Sequence, residues 1–110
     1  METIIFQVQG TVPEPYTTSF KRLGSNLTAQ CSCPAGQVGQ YCKHRINILN
    51  GNVEGIVSGN ESEVQTVVSW LKGSDVEKAL RHVQEAEVRL EEAKKQLNGL
   101  KKILARSLLD

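Results

Sequence analysis

The chain has 110 residues, of which 39% are hydrophobic and only 5% aromatic, and its formal net charge is +1. This length allows one domain with an extension or two very small units, and the short supply of aromatic residues permits only a modest core. The near-neutral charge lacks the strong positive field of a typical nucleic-acid-binding domain. The chain starts without a basic region, and no stretch approaches the ~20 apolar residues of a membrane span, so we expect a cytoplasmic protein without a signal peptide.

Residue composition divides the chain into two parts. Residues 1–58 are rich in Thr, Gly, Asn, Gln and β-branched residues, whereas residues 59–110 combine Leu, Val and Ala with many charges, as helices do. The stretch 51–60, rich in glycine and asparagine, is the natural joint between them. We therefore predict two domains, 1–58 and 59–110.

The first part predicts strands followed by a helix. Segments 3–9, 17–23 and 27–33 have the length and composition of strands, and residues 24–26 fit a three-residue hairpin loop. Residues 44–50 predict a short helix that stops at an Asn-Gly pair. The fold class is therefore α+β: a small antiparallel β-meander with a short helix, followed by a helical region.

All three cysteines and one of the two histidines fall within "CSCPAGQVGQYCKH", residues 31–44, with the spacing C-x-C-x8-C-x-H. Cys31 and Cys33 are two residues apart near a strand end, which places them on one side. Residues two apart on a helix point about 200° apart, so Cys42 must lie just ahead of the predicted helix and His44 in its first turn. Three thiolates and one imidazole form a closed tetrahedral set for Zn²⁺. The sequence therefore predicts one structural zinc site on these four residues.

A disulfide, a catalytic thiol and plain reduced cysteines are the alternatives to zinc. A disulfide framework requires an even cysteine count and an oxidising compartment, and neither is indicated. A nucleophilic Cys/His pair and plain reduced cysteines stay open, although no oxyanion site or orienting acid can be identified for catalysis. Residues 1–58 would bury too little apolar surface to be stable unaided. Zinc binding supplies folding free energy and would provide the missing stability.

The opening "CSCP" and the closing "CKH" followed by an apolar helix resemble the SWIM-type zinc finger over roughly residues 16–51. Members of this family occur in bacterial, transposase-related and chromatin-associated proteins. The resemblance implies a ββα finger with the same four ligands, a role in binding DNA or other proteins, and no catalysis by the finger. Contact with nucleic acid would fall on the cations of the finger, which are Lys21, Arg22, Lys43 and Arg45.

The second part predicts two helices, each opened by a capping box. Asn60 with Glu63 opens the helix 61–72, and Ser74 with Glu77 opens a longer one that runs from residue 75 to about residue 109. The longer helix carries an apolar heptad pattern: Val76, Val83, Leu90, Leu97 and Leu104, with Ala79, Ala86, Ala93 and Leu100 three residues further on. Such a repeat predicts a coiled coil.

Charge predicts the direction of that coiled coil. Residues 75–92 hold six acids and three bases, whereas residues 93–109 hold five bases and no acid. An antiparallel pair sets unlike charges together, so we expect an antiparallel homodimer through residues 75–109. A break at Gly99 that gives a helical hairpin is the alternative.

The function predicted from the sequence is that of a non-catalytic, zinc-binding interaction module. It acts as a dimer and binds DNA, a protein partner, or both. The alternative is a purely structural or adaptor protein in which zinc only stabilises the fold.

Overall fold

The computed structural model describes residues 2–109. The elements in chain order are β1 (Glu2–Val8), β2 (Tyr16–Leu23), β3 (Asn26–Cys31), α1 (Pro34–Gln37), α2 (Lys43–Leu49), a 3₁₀ turn (Glu61–Glu63), α3 (Val64–Leu71) and α4 (Glu77–Ser107). The predicted α+β fold is confirmed. Contacts group the chain into two compact units, Met1–Glu77 and Lys78–Asp110, which is a later division than the predicted boundary after residue 58.

The three strands form one antiparallel sheet in the order β1-β2-β3. Leu23 pairs with Asn26, so the hairpin turn consists of Gly24 and Ser25 alone, and the predicted three-residue loop is wrong. Gly24 has a φ of 61°, a left-handed conformation that two-residue hairpin turns favour and glycine adopts without strain. This turn sets the register of β2 and β3 and places Thr18 opposite Cys31.

One face of the sheet carries the core of the first unit. Phe6 and Phe20 are fully buried there, and their rings meet edge to face at 5.9 Å. Helix α2 packs against β3 and against α3, and it contributes Ile48 and Leu49 to the buried set. Each fully buried side chain of this kind stabilises the fold by about 1.5–3 kcal/mol. The core therefore fastens α2, and with it the region before α2, to the sheet.

Backbone groups at both outer edges of the sheet bond to other parts of the first unit. Beside β1, the Val57 N–H donates to the Gln7 carbonyl at 2.8 Å. Beside β3, the Leu27 N–H donates to Asp75 Oδ1 at 2.9 Å, and the Asp75 N–H donates to the Ser25 carbonyl at 3.0 Å. These bonds occupy backbone groups that would otherwise invite pairing with another strand.

The helix ends agree with the sequence in part. Helix α2 ends at Leu49 with Asn50 as its C-cap, and Gly51 follows with a φ of 85°, so the predicted Asn-Gly stop is confirmed. The capping box at Asn60 is wrong: its amide donates to Glu63 Oε2 at 3.1 Å and to the Ile5 carbonyl at 2.9 Å, so it ties the segment to β1 instead of capping a helix.

The box before α4 forms with a shift of one residue. Ser74 Oγ accepts the Val76 N–H at 3.2 Å, and Glu77 Oε1 accepts the Gly73 N–H at 3.2 Å. A capping box in its usual form would join Ser74 and Glu77 to each other's N–H groups. Helix α4 accordingly begins at Glu77, and Val76 of the predicted heptad pattern lies ahead of it.

Helix α4 is one continuous helix of 31 residues. It runs through Gly99 without a break, so the helical hairpin alternative is wrong. Leu80 is the one buried side chain among the described residues of α4. The heptad residues of α4 form a row that we call the seam, and its larger side chains are more than a third exposed: Val83, Leu90, Leu97, Leu100 and Leu104. None of the described helices is long and apolar enough to cross a membrane.

Candidate metal centre

The four predicted ligands lie at the ends of three elements. Cys31 is the last residue of β3, Cys33 is the N-cap of α1, and Cys42 is the N-cap of α2 with His44 in its first turn. Cys33 is extended, with a φ of −65° and a ψ of 161°, as expected for a residue before proline. The short helix α1, absent from the sequence prediction, turns the chain back after the first pair of cysteines.

The geometry brings the four ligand atoms together, all within 4.8 Å of one another. The Sγ atoms of Cys33 and Cys42 are 3.3 Å apart, and His44 Nδ1 is 3.7 Å from Cys31 Sγ and 3.6 Å from Cys42 Sγ. A tetrahedral zinc with Zn–S bonds of about 2.3 Å requires separations of roughly 3.5–3.8 Å along its edges. The two distances from His44 Nδ1 meet this requirement, and the Cys33–Cys42 pair is slightly closer than it. The three cysteines are buried free thiols, so the arrangement suits one ion.

Backbone N–H groups point at each of the three sulfurs. The Cys33 N–H hydrogen-bonds to Cys31, the Gly36 N–H donates to Cys33 Sγ at 3.3 Å, and the Arg45 N–H hydrogen-bonds to Cys42. Donors of this kind stabilise a thiolate more than a thiol. Gly36 also packs so closely on the Cys31 carbonyl that a Cβ would collide with it. The backbone of this loop therefore favours the thiolate forms of the three cysteines, which are the forms that bind a cation.

The two cysteines at either end of the cluster differ in acidity. Burial acts to raise the pKa of Cys42, but hydrogen bonds from the Arg45 N–H and from neighbouring ligands outweigh it and lower the pKa to about 6. At Cys31 burial dominates and raises the pKa, although the Thr18 hydroxyl acts in the opposite direction. In the sequence, Lys43, Arg45 and the N-terminus of the predicted helix each stand where they would favour the Cys42 thiolate; the observed contact is the backbone N–H of Arg45, in the first turn of α2.

Side chains of β2 support the cluster, and sequence reasoning missed them. Thr18 is fully buried and donates its hydroxyl to Cys31 Sγ at 3.4 Å. The Tyr16 ring lies 5.2 Å from the His44 ring, and Gly10 leaves room for it, since a Cβ there would lie 2.6 Å from Tyr16 Cε2. The spacing of Tyr16 and Thr18, two residues apart, places them on one face of β2, but only the pairing of β2 with β3 shows that this face meets the metal cluster.

Arg45, one of the cations predicted to contact nucleic acid, bonds to the protein itself. Its guanidinium donates to the Ala29 carbonyl at 3.2 Å and to the Gln40 carbonyl at 2.6 Å. Ala29 belongs to the strand that ends at Cys31, and Gln40 to the loop that leads to Cys42. The side chain thus joins the two halves of the metal cluster.

The other three predicted cations do not form one patch. Lys21 and Arg22 are neighbours on β2 and point to opposite faces of the sheet, and Arg22 lies 3.8 Å from Glu2. Both lie near the hairpin turn, whereas Lys43 is exposed beside the metal cluster. Thr18 marks the position of the cluster on β2. Arg22 is four residues further along the strand, about 13 Å away, so Lys21 and Arg22 lie at a distance from the cluster and from Lys43.

Comparison with known proteins gives one result. Residues 6–49 match the family model of the SWIM zinc finger, a span that runs from β1 to the end of α2 and contains all four clustered residues. No curated protein matches the chain, and no solved structure matches it. The matched segment is a zinc-binding module, and its cofactor is Zn²⁺.

Proposed function

We propose that this chain is a non-catalytic interaction protein, in which the SWIM zinc finger is a folded domain and helix α4 mediates self-association. The observation that carries the proposal is the seam of α4, a row of large apolar side chains left open to solvent. Leu90, Leu97 and Leu104 are 55%, 51% and 61% exposed.

The metal has a structural role in this proposal, with Cys31, Cys33, Cys42 and His44 as its ligands. Four protein donors complete a tetrahedral zinc site and leave no position for a substrate or water, which catalytic zinc sites keep open. Three reduced thiols also suit a cytoplasmic location. Zinc then supplies folding free energy to a small sheet, and the surface outside the site is left for binding.

The exposed seam supports self-association on energetic grounds. A single solvated helix is marginally stable in water, and most helix stability in proteins comes from packing of an apolar face. Burial of one leucine side chain contributes about 1.5–3 kcal/mol, and the seam repeats such residues at heptad spacing. A second copy offers a seam of matching length.

Light scattering on the full zinc-loaded chain tests this proposal. We expect a dimer for the wild type and a monomer for Leu90→Glu, because the substitution places a charge in the seam. Val88→Glu is the matched control, since Val88 is 58% exposed and lies off the seam. A monomeric wild type at high micromolar concentration would contradict the proposal.

Nucleic-acid binding, the other role predicted for the finger, has less support. Arg45 is engaged within the fold, Arg22 lies beside Glu2, and Lys21 and Lys43 lie apart, so few phosphates are within reach of one surface. Titration with duplex DNA at low and high salt decides it. Contact predicts an affinity that falls steeply with salt and is weakened by Lys43→Ala; no binding would favour a protein partner or a purely structural role.

A further inference from the structure

We propose that the α4 helices of two copies pack antiparallel in a single register, in which Leu90 of each chain faces Ala93 of the partner copy. This inference rests on the proposed self-association. It adds the register and the residue pairs that select it.

The sizes of the seam residues favour the antiparallel direction. In a parallel pair each seam residue packs beside its own copy, so layers of two leucines would alternate with layers of two alanines. Leu90 would meet Leu90, and Ala93 would meet Ala93, which forces the helix separation to vary along the seam. In an antiparallel pair the two heptad positions face each other. Most large residues then meet a small one, and the layers become more nearly equal in volume.

Along most of the helix, the register of fullest overlap pairs large residues with small ones; the registers one heptad away keep most pairs of this kind but overlap less. The layers of the register of fullest overlap are Leu90 with Ala93, Leu97 with Ala86, Leu104 with Ala79, and Val83 with Leu100. All of these residues lie within α4, and the two helices overlap over almost their full length. A slide by one heptad in either direction would uncover about 10 Å of seam at each end.

The residues that flank the seam select the same register. Glu87 and Lys94 occupy the same heptad position in successive repeats, next to the seam. In this register Glu87 faces Lys94 of the partner copy, and the symmetry of the dimer forms that pair twice. A slide by one heptad would set Glu87 against its own copy, and a slide the other way would set Lys94 against its own copy. Like charges therefore disfavour both neighbouring registers, the first more strongly, because the second still sets Glu87 against Lys101 of the partner copy.

The register determines where the N-terminal ends of the two α4 helices lie in the dimer. Its twofold axis passes between Glu91 and Glu92, so the N-terminal ends of the two α4 helices lie at opposite ends of the pair. At 1.5 Å per residue, the two copies of Ala79 are about 38 Å apart along the axis. The two chain segments that lead into α4 therefore enter at opposite ends, which suits a bivalent module.

Sedimentation equilibrium of the full zinc-loaded chain at low salt tests the register through Lys94→Glu. We expect about tenfold weaker dimerisation, or about 1.4 kcal/mol, because each of the two attractive pairs becomes a repulsive pair of Glu87 with the introduced carboxylate. The double variant Glu87→Lys with Lys94→Glu should return to within about threefold of the wild type. Lys95→Glu is the control: it makes the same charge change on the outer face and should alter the affinity by less than about threefold.

The possible failures can be told apart. In a parallel pair Lys94 would flank Arg89 of the partner copy, so Lys94→Glu would tighten the dimer. A tighter or unchanged dimer for Lys94→Glu overturns the register while self-association stands. A monomeric wild type overturns both the register and the proposed function.

Discussion

Thr18, a fully buried residue of β2, donates its hydroxyl to Sγ of Cys31 at 3.4 Å. The two residues are direct partners in the register of β2 and β3, which the Gly24-Ser25 turn sets. Strand β2, which carries none of the four clustered residues, therefore contributes a hydrogen bond to the metal centre.

Replacement of Thr18 by valine should weaken zinc retention. Valine keeps the shape of threonine but removes the donor to a thiolate, and hydrogen bonds to charged groups are worth about 1.5–3 kcal/mol. We expect zinc transfer to a chromogenic chelator to become at least several-fold faster. Thr3→Val, an exposed change on β1, should leave the rate unchanged. Equal rates for the two variants would mean that the hydroxyl does not act on the metal site.

Arg45→Met should loosen the metal centre more than Lys43→Met. The Arg45 guanidinium joins the Ala29 carbonyl to the Gln40 carbonyl, whereas Lys43 is exposed. Loss of both bonds frees the loop that leads to Cys42, and we expect zinc affinity to fall about tenfold in a competition titration. If Lys43→Met lowers the affinity as much, the guanidinium bridge is not what holds the loop.

Two glycines with open space around them should respond to alanine with opposite signs. Gly99 lies within α4, and a Cβ added there would meet no neighbour within 4 Å, so Gly99→Ala should stabilise the helix by about 1 kcal/mol. Gly73 has equal space but a φ of 79°, so Gly73→Ala should destabilise the chain by about 1 kcal/mol. Thermal unfolding followed by circular dichroism measures both. A loss of stability in Gly99→Ala would argue against a continuous helix.

Acid should release the zinc. Cys42 has a folded-state pKa of about 6 against an ordinary 9.0, so its thiolate contributes stability that is fully present above pH 9 and is lost as the pH falls through 6. Protons compete with the metal for the same sulfurs, and zinc holds them in the thiolate form to still lower pH. We expect half-release at or below about pH 6, measured by metal analysis after rapid dialysis. Release that is complete at about pH 7 would contradict this.

The metal cluster was predictable because its evidence is local. Cys33 precedes a proline and is extended, and Cys42 precedes a helix, so spacing alone indicates which atoms converge. The hairpin was only partly predictable. A three-residue loop instead of the observed two shifts the register by one, which turns every side chain of β3 to the other face relative to β2 and conceals the Thr18–Cys31 pair.

Local sequence is enough to predict most of the elements, the zinc cluster and the heptad pattern of α4, since each depends on residues close together in the chain. The roles of Arg45 and Asn60 depend instead on the tertiary fold. Sequence reasoning assigns Arg45 to nucleic acid and Asn60 to a helix cap, yet their side chains bond to the carbonyls of Ala29 and Ile5. Those carbonyls lie 16 and 55 residues away in sequence. A long polar side chain can satisfy its hydrogen bonds in many places, and only the packing of distant segments determines which acceptor lies within reach.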